Sequence, residues 1–289
     1  MNNLIKLTTL FLFISLASPM TLAAEKTLVF SAIPDQDQSQ LTKRFDKVAR
    51  YLSSSLNVPV KYIPVKSYAA AVSAFRNNQV QLAWFGGLSG VRARSLVANS
   101  EAIAQGKEDT HFETYFIAHH STGLKPSEKF PKNIAGNNFT FGSKGSTSGR
   151  LMPEYYIREN FKQSPDDVFS HVGFSGNHSR TISLVQSGAY QVGAVNYKVW
   201  QNELKKGNID KSKVSVIWKT PTYPDYQWSV RGDVNKIWGA GFKEKIKQAL
   251  LNMKDPVLLK AFPRSAFIPA SNKDYLPILN TAKKIGLID

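Results

Sequence analysis

Residues 58–97 read VPVKYIPVKSYAAAVSAFRNNQVQLAWFGGLSGVRARSLV. The stretch begins with an alternating run typical of a strand and continues with a helical pattern that starts at Tyr68. A second apolar run, VQLAWF, then reaches Gly86 and Gly87, which turn the chain into another helix. Apolar residues at every second position predict strands, and spacings of three and four predict helices. Strands that alternate with helices in this way predict a parallel sheet covered by helices.

The same alternation continues on both sides of this stretch. Residues 27–33 (TLVFSAI) predict a first strand, and the apolar positions of residues 41–56 repeat at helical spacing. A second unit of strands and helices follows, up to the run VSVIW at residues 214–218. From roughly residue 237 the pattern is mostly helical. The chain therefore has the pattern of two α/β units followed by a helical end.

The predicted fold class is α/β, with two doubly wound lobes joined by two crossover strands. Extended segments at residues 115–118 and 220–226 are the expected crossovers. Lobe 1 then comprises residues 25–116 together with 222–289, and lobe 2 comprises residues 117–221. Because ligands of open α/β sheets bind at the carboxyl ends of strands, the ligand cleft is expected between the lobes, closing by a hinge motion.

The first 24 residues predict a cleavable signal peptide. Lys6 precedes an apolar run at residues 7–16, and small residues follow up to Ala24. The apolar run is about half of the ~20 residues that a membrane span needs, which disfavours an anchor. We therefore expect a periplasmic protein.

Charge and composition exclude several classes of partner and of functional site. The chain has 37 Lys and Arg against 21 Asp and Glu, a formal net charge of +16, and it has no cysteine. A strongly basic protein attracts anions through its overall field. Secretion and the scattered basic residues argue against nucleic acid, and the absence of cysteine excludes disulfides, thiol nucleophiles and Cys-zinc sites. The five histidines form no metal-binding spacing, so neither a metal nor a cofactor is expected.

Residues 139–153, FTFGSKGSTSGRLMP, are the most informative motif. A strand ends in a glycine-rich turn, and Ser146, Thr147 and Ser148 stand where a helix begins. Free backbone N–H groups and the helix dipole favour an anion there, and rotating hydroxyls suit a tetrahedral one. The motif is neither a P-loop nor a GxSxG nucleophile elbow, because Lys144 precedes Gly145 and the central residue is Thr147. A serine-capped helix without a ligand is the alternative.

Three longer stretches carry a resemblance to a known family. They are SAIPDQDQSQLTKRFDKVARYL, PVKSYAAAVSAFRNNQVQLAWFGGLSGVRAR and TPTYPDYQWSVR. The chain resembles the PhnD-like phosphate, phosphite and phosphonate-binding proteins of ABC transporters over essentially its whole secreted part. Within that group of type II periplasmic binding proteins, the three stretches resemble a branch named for selenate binding.

The resemblance implies a set of ligand residues and a function. The function is capture of a tetrahedral oxyanion by a monomer that delivers it to an ABC permease in the inner membrane. The implied ligand residues are Tyr68, Tyr115, Ser146, Thr147, Ser148, Gly149, His178, Asn196 and Asp225.

Each of these positions also has a structural alternative. Tyr68 and Tyr115 are suited to packing, His178 to capping a helix, and Asp225 to pinning the hinge. Aminophosphonate binders of the family place acidic residues at the positions of Asn196 and Asp225. Because this chain has an amide at Asn196, it favours an anion without an ammonium group, such as selenate, a sulfate-like ion, phosphite or a simple phosphonate.

Other functions remain as alternatives. A hydrolase would combine Ser146, His178 and Asp225, although no sequence feature arranges them as a triad. The same two-lobed fold also serves sensor modules and, in principle, a stand-alone enzyme acting on a small anionic or phosphorylated metabolite. We expect a binding protein and no catalytic residues.

Overall fold

A computed structural model of the chain describes residues 26–36 and 38–288. The predicted signal peptide lies outside these residues. The strands are β1 Leu28–Ala32, β2 Val60–Tyr62, β3 Leu82–Phe85, β4 Glu101–Gly106, β5 Thr114–His119, β6 Asn138–Phe141, β7 His171–Phe174, β8 Val192–Asn196, β9 Val214–Lys219, β10 Gln227–Val230 and β11 Phe267–Pro269. The helices are α1 Gln38–Leu56, α2 Tyr68–Arg76, α3 Gly87–Ser95, α4 Met152–Phe161, α5 Pro165–Val168, α6 His178–Gln186, α7 Tyr197–Lys205, α8 Val234–Trp238, α9 Phe242–Leu251, α10 Pro256–Leu259 and α11 Leu276–Lys284.

The strands form two sheets. The first has the order β11-β4-β10-β3-β1-β2, and the second β7-β6-β8-β5-β9. β1 is parallel to both β2 and β3, and β6 is parallel to both β7 and β8, as the alternating pattern predicts. The strands that follow the two crossings, β5 and β10, run antiparallel to their neighbours. The α/β fold with two lobes, one built on each sheet, is confirmed.

The crossings between the sheets lie side by side. Phe112 and Tyr223 exchange backbone hydrogen bonds, from Phe112 N to Tyr223 O at 2.8 Å and from Tyr223 N to Phe112 O at 3.0 Å. The sequence analysis expected the first crossing at residues 115–118. Because β5 lies wholly in the second sheet, the chain crosses before those residues. The division of the chain into lobes at residues 116/117 and 221/222 stays a prediction.

Each sheet buries its own core. In lobe 1, Phe30, Phe45, Trp84 and Trp228 pack ring against ring, and Phe30 and Trp228 have no exposed surface. Burying one such side chain contributes roughly 1.5–3 kcal/mol. Lobe 2 has two apolar clusters of buried residues, one around Phe116 and one around Val185. Among the residues that the structure describes, no helix is long and apolar enough to cross a bilayer.

Three strands were missing from the sequence interpretation. β10 and β11 have only four and three residues, and the sequence of β4, EAIAQG, has only one β-branched residue. Such segments have weak strand propensity and form strands because neighbours pair with them. The second unit also contains a short helix, α5, shortly before β7. Pro165 at the first turn of α5 favours the helix there.

Candidate functional site

The serine-rich motif forms a helix start that faces lobe 1. Ser146 caps a wide π-type turn, Thr147–Leu151, which continues into α4, and its hydroxyl accepts a hydrogen bond from Gly149 N at 2.9 Å. Ser146, Thr147 and Ser148 are all nearly fully buried. The first N–H groups of a helix have no acceptor within it, so those of this turn can bind an anion.

Glycine is required where this turn meets its neighbours. A Cβ on Gly149 would lie 3.0 Å from Ser146 Oγ and 3.1 Å from both Gly142 Cα and His178 Cε1. A Cβ on Gly145 would lie 3.0 Å from Tyr68 Cβ. A Cβ at either position would push its neighbours away by a few tenths of an ångström, so glycine favours the close approach of β6, the turn and α2.

His178 stands beside this turn at the start of α6 and has no exposed surface. Its Nδ1 accepts a hydrogen bond from Asn196 N at 3.3 Å, so Nε2 carries the proton and lies 3.5 Å from Ser148 Oγ. Burial lowers the pKa of His178 to about 3. The ring is therefore neutral at physiological pH, and it offers one N–H donor to the cleft.

Lobe 1 supplies the opposite wall. α3 begins after β3, and its Gly87 N donates to Asp225 Oδ1 at 2.8 Å. Its Leu88 N donates across the cleft to Thr147 Oγ1 at 3.0 Å. The Tyr68 hydroxyl and Asp225 Oδ2 are buried and have no hydrogen-bond partner among residues 26–36 and 38–288. Two polar atoms thus remain available at the site.

Asp225 has an unusual environment for a carboxyl group. Burial raises its pKa to about 7, although the Thr147 hydroxyl and the Gly87 N–H act in the opposite direction. Both protonation states of Asp225 are therefore accessible near neutral pH. Such a group can accept a hydrogen bond from a ligand O–H when ionised, or donate one to a ligand oxygen when neutral.

Further contacts connect the two lobes next to the site. Asn196 Nδ2 donates to the Tyr226 hydroxyl at 2.9 Å, and that hydroxyl donates to Asp35 Oδ2 at 2.9 Å. His178 N donates to Asp35 O at 3.0 Å. Burial raises the pKa of Asp35 to about 6, against the effects of the Tyr226 hydroxyl and of Arg264. These bonds, together with that of Leu88, hold the lobes in a closed arrangement.

A buried ion pair lies next to the contacts that connect the two lobes. Arg264 is buried and donates to both carboxylate oxygens of Asp109, at 2.7 and 2.6 Å. Its guanidinium lies 5.2 Å from the centre of the Tyr226 ring. Asp109 O in turn accepts from Asp225 N at 3.0 Å. The pair therefore positions the crossover segment that carries Asp225 and Tyr226.

Eight of the nine expected ligand residues come together, and Tyr115 does not. Successive residues of β5 face opposite sides of the second sheet. The Thr114 hydroxyl donates to Ser148 O at 2.9 Å, which places that side chain beside the serine-rich turn. Tyr115 instead packs in the apolar cluster that contains Val185, with its ring centre 6.0 Å from that of Tyr197 and 5.3 Å from Lys219 Nζ. The alternative role of Tyr115 as a core residue fits this placement.

The side-chain amide of Asn196 makes three hydrogen bonds within the protein, and its contact with a ligand stays a prediction. Its Oδ1 caps α7 by accepting from Lys198 N and Val199 N, and its Nδ2 binds Tyr226. Sequence reasoning did not identify Asp35, Leu88 or Tyr226. Asp35 and Leu88 follow the carboxyl ends of β1 and β3, a position that is typical of ligand sites in α/β sheets and could have indicated them.

The geometry does not support a hydrolase. In a Ser-His-Asp triad the histidine donates Nδ1–H to the carboxylate and its Nε2 accepts from the serine. Here the Nδ1 of His178 accepts from a backbone N–H, and its Nε2 faces Ser148 rather than Ser146. Asp225 instead accepts from Gly87 N of α3, within lobe 1. Among the described residues no group of three or more His, Asp or Glu side chains could hold a metal ion.

Comparisons with known proteins identify the family of the chain. The profile of the family described as "ABC transporter, phosphonate, periplasmic substrate-binding protein" matches residues 30–275. The chain is 40% identical over 284 residues to the probable ABC transporter phosphite binding protein PhnD1 of Prochlorococcus marinus, covering 96% of each chain. It is 26% identical over 267 residues to the phosphonates-binding periplasmic protein of Escherichia coli, covering 89% of this chain and 76% of that protein.

A solved structure shares the fold. The structure of PhnD1 from Prochlorococcus marinus in complex with methylphosphonate has a TM-score of 0.86 and 41% sequence identity. The alignment covers 91% of this chain and 99% of that one. The chain therefore belongs to the family of periplasmic substrate-binding proteins of ABC phosphonate transporters, whose members bind a phosphonate-type ligand for a membrane permease and are not enzymes.

Proposed function

We propose that this protein captures a small tetrahedral oxyanion that carries an ionisable O–H, either phosphite or a simple alkylphosphonate, and delivers it by closure of its two lobes. The proposed donors are the serine-rich turn (Ser146 to Gly149), the Tyr68 hydroxyl and His178 Nε2. Asp225 is the proposed acceptor for the ligand O–H. We propose that the protein acts as a monomer.

The observation that carries this proposal is the unpaired Oδ2 of Asp225. A buried carboxylate oxygen without a donor costs free energy unless a ligand supplies one. A singly protonated phosphite or phosphonate has a P–O–H group that can donate to it. Sulfate and selenate near neutral pH have no such proton, so an ionised Asp225 would repel them. Selenate is therefore disfavoured, although the resemblance to the selenate-named branch suggested it.

The surroundings of Asp225 and Asn196 also disfavour aminophosphonates as ligands. An ammonium group needs acceptors, and the family's second acidic position is Asn196 here, with its Oδ1 already bound by two N–H groups of α7. Another carboxylate next to the site, Asp35, is bound by Tyr226. A small or absent substituent on phosphorus fits this arrangement best. Methylphosphonate in the related Prochlorococcus structure supports the same choice.

Calorimetric titration tests the proposal. The secreted chain, stripped of bound ligand, is titrated with phosphite, methylphosphonate, phosphate, 2-aminoethylphosphonate, sulfate and selenate. We expect one-to-one, micromolar or tighter binding of phosphite or methylphosphonate, and weaker binding of the others. Preferred binding of sulfate or selenate would contradict the role of Asp225, and the absence of any specific binding would overturn the proposed function.

A further inference from the structure

A basic groove opens between the lobes next to the site. It has a volume of about 910 Å³ and lies between α1 and the end of α10 on lobe 1 and α7 on lobe 2. Seven Lys and Arg side chains line it, and no Asp or Glu does among the described residues. The seven are Lys43, Arg44, Lys47, Lys198, Lys205, Lys206 and Lys260.

Positive charge stands on both walls of this groove. Lys43 and Lys47 are exposed on α1, and Lys205 is exposed on α7 of the other lobe. Lys206 pairs with Glu203 at 2.9 Å, so part of the charge is neutralised. The remaining surplus is concentrated between two low-dielectric walls, and such clefts focus the field and raise the local concentration of anions.

The groove leads to the site. A smaller cavity shares Lys198, Ala261 and Pro263 with the groove, and Asp35, Asn196 and Tyr226 line its other side. Its volume is only about 10 Å³, which is at most the space of one water molecule. The hydrogen bonds among Asn196, Tyr226 and Asp35 therefore close the path in this arrangement. Separating the lobes would break the bond from Asn196 and join the groove to the site.

The opposite opening of the cleft differs in charge. A cavity of about 480 Å³ reaches Tyr68 and Gly145 there, and its only charged lining residues among those described are Arg92 and Lys144. Arg92 donates to Leu287 O at 2.6 Å, and Lys144 lies 5.1 Å from the centre of the Phe174 ring. This side offers fewer cations, and both of them already have contacts within the protein.

We propose that the basic groove is the entry path of the ligand, an electrostatic funnel that collects small oxyanions and accelerates their association with the open cleft. The inference rests on the proposed function, because it requires an anionic ligand. The groove acts before capture, so its lysines change the association rate and leave the dissociation rate nearly unchanged. Salt screens this attraction.

Stopped-flow tryptophan fluorescence measures the two rates separately. Trp84 stacks on Tyr226, with ring centres 5.5 Å apart, and so lies where closure changes its surroundings. The ligand is phosphite or methylphosphonate, whichever binds more tightly in calorimetry, and the rates are measured over a series of salt concentrations. The test variant is Lys43→Gln/Lys47→Gln/Lys205→Gln. The matched control, Lys129→Gln/Lys211→Gln/Lys245→Gln, removes the same charge from exposed positions that do not line the groove.

We expect the groove variant to associate about tenfold more slowly at low salt, and the control to differ from the unmodified chain by less than about twofold. The difference should disappear at high salt, and dissociation rates should agree. Equal association rates for groove variant and control, or an effect on dissociation alone, would overturn the funnel while leaving the proposed function intact. Failure of the unmodified chain to bind either anion would overturn both.

Discussion

The two walls of the cleft share one local arrangement, a strand followed by a helix start, but the N–H groups of the two helix starts have different partners. On each wall a glycine follows a strand, and a helix begins after it. On lobe 1 Gly86 lies between β3 and α3, and on lobe 2 Gly142 lies between β6 and the serine-rich turn. On lobe 1 the N–H groups of Gly87 and Leu88 are bound by Asp225 and Thr147. The first N–H groups of α3 therefore have acceptors within the protein, and we expect the anion at the serine-rich turn instead.

The same contrast extends to the charges of the walls. Lobe 2 presents hydroxyls, backbone N–H groups and the neutral ring of His178, all of which can donate. The lobe 1 wall presents the carboxyl group of Asp225, which is held by α3. A donor wall attracts any small anion, whereas a wall with an acceptor distinguishes protonated anions from unprotonated ones. Affinity should therefore depend mostly on lobe 2, and selectivity on Asp225.

The largest expected effect comes from the donor wall. Ser146→Ala/Thr147→Ala removes the Ser146 hydroxyl, a proposed ligand donor, and the Thr147 hydroxyl, which contacts Leu88 N and Asp225. Hydrogen bonds to charged groups contribute roughly 1.5–3 kcal/mol each. We expect a loss in affinity of about 10²- to 10³-fold by calorimetry. Ser146 also caps its turn, so the melting temperature should fall by a few degrees.

Ser271→Ala is the control, because it removes a helix-cap hydroxyl away from the proposed contacts. It should lower the melting temperature by a similar amount and leave the affinity unchanged. Undiminished affinity in the double variant would show that the serine-rich turn does not bind the ligand.

The second effect concerns selectivity. Asp225→Asn keeps an oxygen for Gly87 N and replaces the unpaired Oδ2 with an N–H donor. We expect the affinity for phosphite or methylphosphonate to fall about tenfold or more, and that for sulfate to rise. Calorimetry measures the affinities of the unmodified chain and of the variant for the phosphorus anion and for sulfate. If the variant lost affinity for both anions to the same extent, the proposed role of Asp225 in selectivity would be wrong.

The pH dependence of sulfate binding isolates the same group. The pKa of Asp225 is about 7, so the group is neutral below that pH and ionised above it. Sulfate binding to the unmodified chain should weaken as the pH rises through 7, because a second negative charge appears in the site. In Asp225→Asn that weakening should be absent. A similar slope in both proteins would assign the titration to another group.

The third effect concerns His178. Burial holds its pKa at about 3, well below the 6.5 of an unperturbed histidine. The ¹⁵N NMR signals of its ring should therefore stay those of a neutral imidazole between pH 5 and 8, and a shift in that range would contradict the burial argument. Because the folded-state pKa is depressed, its neutral form favours folding above the unfolded pKa, and this advantage is lost as the pH falls.

His178→Gln keeps a donor and should reduce ligand affinity by about tenfold or less.

The smallest effect concerns the junction between the walls. Tyr226→Phe removes the hydroxyl that connects Asn196 to Asp35, and should increase the dissociation rate by about threefold to tenfold. Tyr51→Phe is the matched control, since its hydroxyl donates to Ala249 O at 2.7 Å within lobe 1. Equal dissociation rates in the two variants would mean that this chain of hydrogen bonds does not stabilise closure.

Much of the fold followed from local patterns. α2 begins at Tyr68, as the sequence pattern predicts, because its apolar spacing and its capping residue Ser67 are local properties. β4 was missed because its strand conformation depends on β10 and β11, which pair with it from distant parts of the chain. A segment of weak propensity shows its conformation only when its partners are known.

The sequence by itself determined the α/β class, the basic charge and the serine-rich helix start, since each depends on neighbouring residues or on composition. Only the tertiary structure decided which side chains face the cleft. Thr114 and Tyr115 are adjacent, yet one contacts the serine-rich turn and the other lies in the core, because successive strand residues face opposite sides. The closure through Asp35, Tyr226 and Asn196 likewise joins residues that are distant along the chain. The raised pKa of Asp225 depends on burial between two lobes, which no local pattern encodes.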